Sequence, residues 1–185
     1  MSQPAYTLPE FFADGRRLLK EKGVPAGVHE LRPHVERLLA NPSLFRDHLG
    51  GSPAYGMHQI GHDPESDIFA LAYVREKGRS SAVHDHGPHW VIYGSYTNYT
   101  NMTVWKRLDD GRREGNAELE KAQEFKLTAG HAVAFLRGDI HSINYPDQTC
   151  YLRVTGGDVE SSKTLVFDPA QKSVQVEDRA LGRRP

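Results

Sequence analysis

Three histidines carry the strongest chemical signal in this 185-residue sequence. His84-Asp85-His86 places two imidazoles two residues apart at the start of a strand-like stretch. Strand side chains at i and i+2 point to the same face, so the two rings project together, as chelation of one ion requires. A third, His141, closes the segment Gly138-Asp139-Ile140-His141, and Gly130 stands one short strand upstream. The first glycine opens that strand, the second makes a tight turn, and His141 enters the next strand. A single His-x-His is equally well an exposed polar strand face. The remote, glycine-bounded histidine tips the balance toward a metal site, formed where a rolled sheet brings both segments to one lumen. His89 stands three residues beyond His86 and should face away. His29, His34, His48 and His62 read as surface histidines.

Two textures of chain must position these rings. Residues 1–50 read as a helical segment. Phe11, Phe12, Leu18 and Leu19 fall at helical spacing within Leu8 to Lys20. Val28, Leu31, Val35, Leu38 and Leu39 make the apolar face of a second helix, with Pro33 expected near its first turn. A third short helix is expected from Leu44 to Leu49, ending at Gly50-Gly51. From Ile68 onward short β runs take over: Ile68–Val74, Trp90–Tyr93, Tyr96–Trp105, Glu124–Leu127, Ala132–Phe135, Tyr151–Thr155 and Thr164–Phe167. Turn residues separate them, and no helices intervene, which predicts a mainly β sandwich or barrel over residues 51–170. Residues 171–185 are polar and charged, and read as a strand end and a tail. The whole is expected to be one structural domain with the helices packed at one end of the barrel.

Composition narrows the function classes. A formal net charge of −1 and only short basic runs give no electrostatic footprint for nucleic acid. No apolar run approaches a bilayer span, so no membrane partner is expected. Cys150 is the sole cysteine, so no intramolecular disulfide can form. With no leader-like pattern at Met1-Ser2-Gln3-Pro4, this predicts a cytoplasmic protein. Cys150 itself reads as a small buried residue.

The motifs resemble the cupin superfamily, and within it the thiol dioxygenases, the cysteine dioxygenase and 3-mercaptopropionate dioxygenase family. The likeness is carried by Asp63-Pro64-Glu65 leading into Phe69, by Ser81-Ala82-Val83-His84-Asp85-His86-Gly87, by Trp90-Val91-Ile92-Tyr93-Gly94, and by Gly138 to His141. It implies a cupin double-stranded β-helix, or jelly-roll barrel, with N-terminal helices. It implies that His84, His86 and His141 bind Fe(II), and that the chain oxidises a small anionic thiol with dioxygen to a sulfinic acid. Cupins often pair, so a homodimer is within the expectation. General cupins carry a glutamate ligand where this chain has Trp90 and Val91. The expected ligand set is therefore three neutral imidazoles, which leave the ion its full positive charge and favour anionic substrates.

Other positions depart from that family. A cysteine near the place of Val91 and a serine-histidine-tyrosine set after the last ligand are both missing. The corresponding strand reads Tyr151-Leu152-Arg153-Val154-Thr155, whose phase turns Tyr151, Arg153 and Thr155 toward the metal. The family's carboxylate-binding arginine near Tyr55 is replaced by Met57 or His58. An arginine inside a barrel needs an anion, so Arg153 is the candidate clamp for a substrate carboxylate, with Tyr151 beside it. By the same phase count Tyr96 would line the pocket, while Tyr93 and Tyr99 would lie outside or in a subunit contact. Asn144 is a candidate to orient a ligand histidine. Two alternatives stay open: a three-histidine cupin that cleaves a C–C bond of a chelating substrate, and a cupin that only binds a small ligand.

Overall fold

A computed structural model of the chain describes residues 5–50 and 53–182. Three helices come first: α1 (Leu8–Lys22), α2 (Ala26–Leu39) and α3 (Leu44–Leu49). The Thr7 amide donates to the Glu10 carboxylate at 2.7 Å, a capping contact that fixes the start of α1. Gly23, at φ 65°, ends that helix, and Gly50, at φ 78°, ends α3. Pro33 does not open α2 but lies inside it, a correction to the expected start. The apolar stripe decides the outcome. Val28, Leu31, Val35 and Leu38 are fully buried, and that burial outweighs the backbone bond the proline ring removes.

Twelve strands follow among the described residues. They are β1 (Gly56–Asp63), β2 (Ile68–Arg75), β3 (Arg79–Ser80), β4 (Val83–His84), β5 (Val91–Thr97), β6 (Tyr99–Arg107), β7 (Leu119–Thr128), β8 (Ala132–Phe135), β9 (Ile140–Tyr145), β10 (Thr149–Gly156), β11 (Lys163–Asp168) and β12 (Ser173–Asp178). One sheet has the order β1-β2-β10-β5-β8; the other runs β12-β11-β4-β9-β6-β7, with β3 also on β9. Every pairing is antiparallel. This is the mainly β, two-sheet jelly roll with N-terminal helices that the sequence predicts. The polar segment read as a strand end and tail forms β12, paired along its length with β11, and a final helical turn, α4 (Arg179–Gly182).

The helices cover the outer face of the first sheet, not one end of the barrel. Leu31, Val35, Leu38 and Leu39 share a core with Ile68, Ala70, Ile92, Leu152 and Val154. The inner face of the same sheet supplies Leu71, Tyr73, Val91, Tyr93 and Tyr151, which meet Met102, Leu127, Ile143 and Tyr145 of the second sheet. A sheet buried on both faces explains the near-continuous apolar runs of β2 and β10. Gly94 lets α2 approach β5, since a Cβ there would stand 2.7 Å from Leu39 Cδ1 and 2.9 Å from Val35 Cγ1. Among the described residues no helix is long and apolar enough to cross a membrane.

Candidate metal centre

His84 and His141 are direct cross-strand partners where β4 pairs with β9, so their side chains leave one face side by side. His86 lies just past β4, in a turn that Asp85 locks. The Asp85 carboxylate accepts the Gly87 amide at 3.0 Å and the Leu165 amide at 2.8 Å. Gly87 has φ 57°, and a Cβ on it would stand 2.2 Å from the Lys163 carbonyl oxygen, so the turn is closed to other residues. The result is a nearly equilateral triangle of imidazoles. Ring centroids are 5.0 Å apart for His84–His86, 4.8 Å for His84–His141 and 4.9 Å for His86–His141. One ring nitrogen from each lies within 4.8 Å of the others.

The nitrogens fit a metal. His84 Nδ1 lies 2.9 Å from the Ala82 carbonyl, which takes its proton and leaves Nε2 as the donor atom. His86 Nε2 and His141 Nε2 face each other at 3.3 Å. His86 Nδ1 is buried without a hydrogen-bond partner. Two ring nitrogens facing each other in a buried site are well placed to share a cation. Phe135 stacks on His141 at 4.0 Å and fixes its ring plane. No carboxylate belongs to the set.

Burial keeps all three rings neutral, the form that binds metal. It pulls His84 down to about 4 and holds His86 and His141 well below the usual imidazole range; the neighbouring histidines push the last two further the same way. The unfolded chain therefore takes up protons below about pH 6.5 that the folded, metal-free chain refuses. Stability is full above that point and falls as the pH drops toward 4, by on the order of 3 kcal/mol for His84 alone. Urea titrations of metal-free protein between about pH 7 and pH 5 should show this slope, and saturating metal should steepen it by raising stability most at the neutral end. A flat profile would contradict the neutral triad.

A cavity of about 330 Å³ opens beside the triad, with His84, Tyr93, Tyr151 and Arg153 in its wall. Tyr151 stacks on Tyr73 at 4.6 Å. Burial raises the hydroxyls of Tyr73, Tyr93 and Tyr151 above the ordinary phenol range. Arg153 points inward while Leu152 and Val154 join the helix-side core. Its guanidinium pairs with Glu160, from the 3-10 turn Val159–Ser161, and sits 5.0 Å from the Tyr73 ring centroid. Arg179 of α4 reaches the same Glu160 at 3.6 Å. Arg75 and Arg79 line the cavity too.

Several expectations change here. Tyr93 is not on the outer face: its hydroxyl lies inside, 3.2 Å from His86 Nε2. Tyr96 is the one outside, stacked on Phe45 of α3 at 4.0 Å. Thr155 does not reach the cavity and donates to the Gly157 carbonyl at 2.8 Å. Asn144 orients no histidine; it donates to Ser80 Oγ at 2.8 Å on an exposed edge. His89 does face away, with its two ring nitrogens 2.6 Å from the Gly156 carbonyl and 2.6 Å from Ser162 Oγ. Glu160 and Arg179 had no signal in the sequence, because the short turns that carry them have no period to read.

No protein-family model matches the chain, and no curated protein matches it in sequence. Solved structures do resemble it. A cupin-2 domain-containing protein from Shewanella frigidimarina is 13% identical, with 62% of this chain and 92% of that one covered and a TM-score of 0.43. The DMSP lyase DddQ from Ruegeria pomeroyi is 15% identical over 62% of this chain and 52% of its own, at 0.43. Hydroquinone 1,2-dioxygenase PnpCD, in a complex with Cd2+ and 4-hydroxybenzonitrile, is 12% identical over 60% of this chain and 70% of its own, at 0.44.

Proposed function

We propose that the chain is a metal-dependent cupin-type enzyme, a mononuclear non-haem Fe(II) dioxygenase that converts a small anionic thiol to its sulfinic acid. One observation carries the reading: three neutral imidazoles converge on one point with no carboxylate among them. Asp85, the acid nearest in sequence, has its carboxylate committed to backbone amides. A neutral ligand set leaves the ion's charge undiminished, which suits an anionic substrate. His84, His86 and His141 would hold Fe(II), which would supply the redox chemistry for adding dioxygen to a thiolate.

The chain's own part is to bind, orient and keep dry. Arg75 and Arg79 draw the substrate's anionic group to the cavity, and Arg153 offers a buried guanidinium deeper in the wall. Tyr73 and Tyr151 give that wall rigid aromatic faces that exclude water. The test is anaerobic Fe(II) loading followed by an oxygen-electrode screen of small carboxylated thiols. We expect uptake of one dioxygen per sulfinate formed. Uptake only with chelating carbon acids, giving chain-cleaved products, would transfer the site to C–C cleavage. Binding without any uptake would leave a ligand-binding cupin.

A further inference from the structure

A fourth polar atom stands at the edge of the imidazole triangle. The Tyr93 hydroxyl oxygen is 3.2 Å from His86 Nε2, and that nitrogen is 3.3 Å from His141 Nε2. An ion with bonds of about 2.0–2.2 Å holds adjacent ligand atoms roughly 3.0–3.5 Å apart. The phenol oxygen therefore stands as far from His86 Nε2 as His141 Nε2 does, at the spacing of neighbouring ligand atoms. The geometry points to Tyr93 as a fourth ligand of the metal held by His84, His86 and His141. This rests on reading the three histidines as a metal site, and not on which substrate the site oxidises.

The fold holds the phenol there. On β5, Val91 and Tyr93 share the inward face, and Gly94 seats the strand against α2. Tyr93 is only 3% exposed, with Phe135 edge-on at 6.1 Å and His141 edge-on at 5.6 Å. Arg153 is its register partner on β10, and the guanidinium charge faces the phenol oxygen. On ligation the phenolic proton leaves to solvent through the cavity that Tyr93 itself lines. Bound there as a phenolate, Tyr93 would add one negative charge to three neutral imidazoles, and the site with Fe(II) would keep a net positive charge for an anionic substrate.

The test is spectroscopic. Protein loaded anaerobically with Fe(II) is oxidised to Fe(III) with ferricyanide, and the visible absorption and resonance Raman spectra are recorded with the iron content. A phenolate-to-iron charge-transfer band with tyrosine ring modes is expected in the wild type. Tyr93→Phe should lose the band, keep the fold, and still bind iron at a weaker affinity through the three histidines. Iron-bound wild type without the band, or a band that persists in Tyr93→Phe, overturns the assignment and leaves the histidine site standing. A wild-type protein that binds no ion overturns both.

Discussion

Replacing His141 with alanine is expected to remove metal binding while leaving a folded chain. The residue is fully buried, sits directly across from His84, and turns its Nε2 to within 3.3 Å of His86 Nε2. Without it two imidazoles remain. Changes merely behind a ligand weaken metal binding about 10–100-fold, so the loss of a ligand itself should exceed about 100-fold. The stability cost is smaller. The Phe135 ring loses its stacked partner and a cavity opens, worth on the order of 2 kcal/mol against a total of roughly 5–15. Two controls isolate the ligand role. Ser142, the next residue on β9, points the other way and accepts the Trp105 indole N–H at 3.1 Å, so Ser142→Ala should keep the ion. His89 has both nitrogens engaged with Gly156 and Ser162, so a folded His89→Ala should keep it too. Metal content after loading and gel filtration, with circular dichroism alongside, reads all three. A His141→Ala protein that retains its ion would dissolve the site.

How much of this was legible in the sequence depends on whether a signal is local. The three-histidine cluster was legible, since His-x-His and the glycine-bounded His141 each sit in a short motif whose geometry a strand imposes. So were α1 and α2, from their helical periods, α3, from the glycines that end it, and β2, from its run of β-branched and aromatic residues. β1 was missed because Gly56, His58, Gln59 and Gly61 give it no β composition, and its register slips between Gln59 and Gly61. β12 was read only as a strand end because exposed polar residues dominate it; its pairing with β11 supplies what composition does not. Tyr93 was misplaced for a different reason. Counting strand parity from His86 assumes one continuous strand, but the chain turns at Gly87-Pro88 and passes from the second sheet into the first. Parity restarts there, and the inward residues become Val91 and Tyr93. On β10 no such break intervenes, and the phase that put Arg153 inside holds. What no local pattern could reveal was its partner: Glu160 comes from a single 3-10 turn beyond the strand.

That partner makes Arg153→Met the second large perturbation, and it separates two roles. Arg153 is 5% exposed, ion-paired to Glu160, and its Nε is buried without a hydrogen-bond acceptor. Removing one member of a buried pair strands the other, at about 3–5 kcal/mol in full burial. Here Glu160 is 23% exposed and keeps Arg179 at 3.6 Å, so roughly 2–3 kcal/mol is expected, read as a lowered Tm. If Arg153 also holds the substrate's anion, losing a charge-assisted contact of about 1.5–3 kcal/mol should raise the KM of the proposed thiol substrate by roughly 10–100-fold. The double variant Arg153→Met/Glu160→Gln decides between the roles. It neutralises the carboxylate that Arg153 had paired, at some cost to the Arg179 contact, so Tm should recover part of its loss. A structural arginine would then regain its KM as well. A substrate-binding arginine would not, because the cavity still lacks the guanidinium. Partly restored stability with a KM still raised, in oxygen-uptake assays across thiol concentration, is the expected result; a KM unchanged in both variants would place the anion with Arg75 and Arg79 alone.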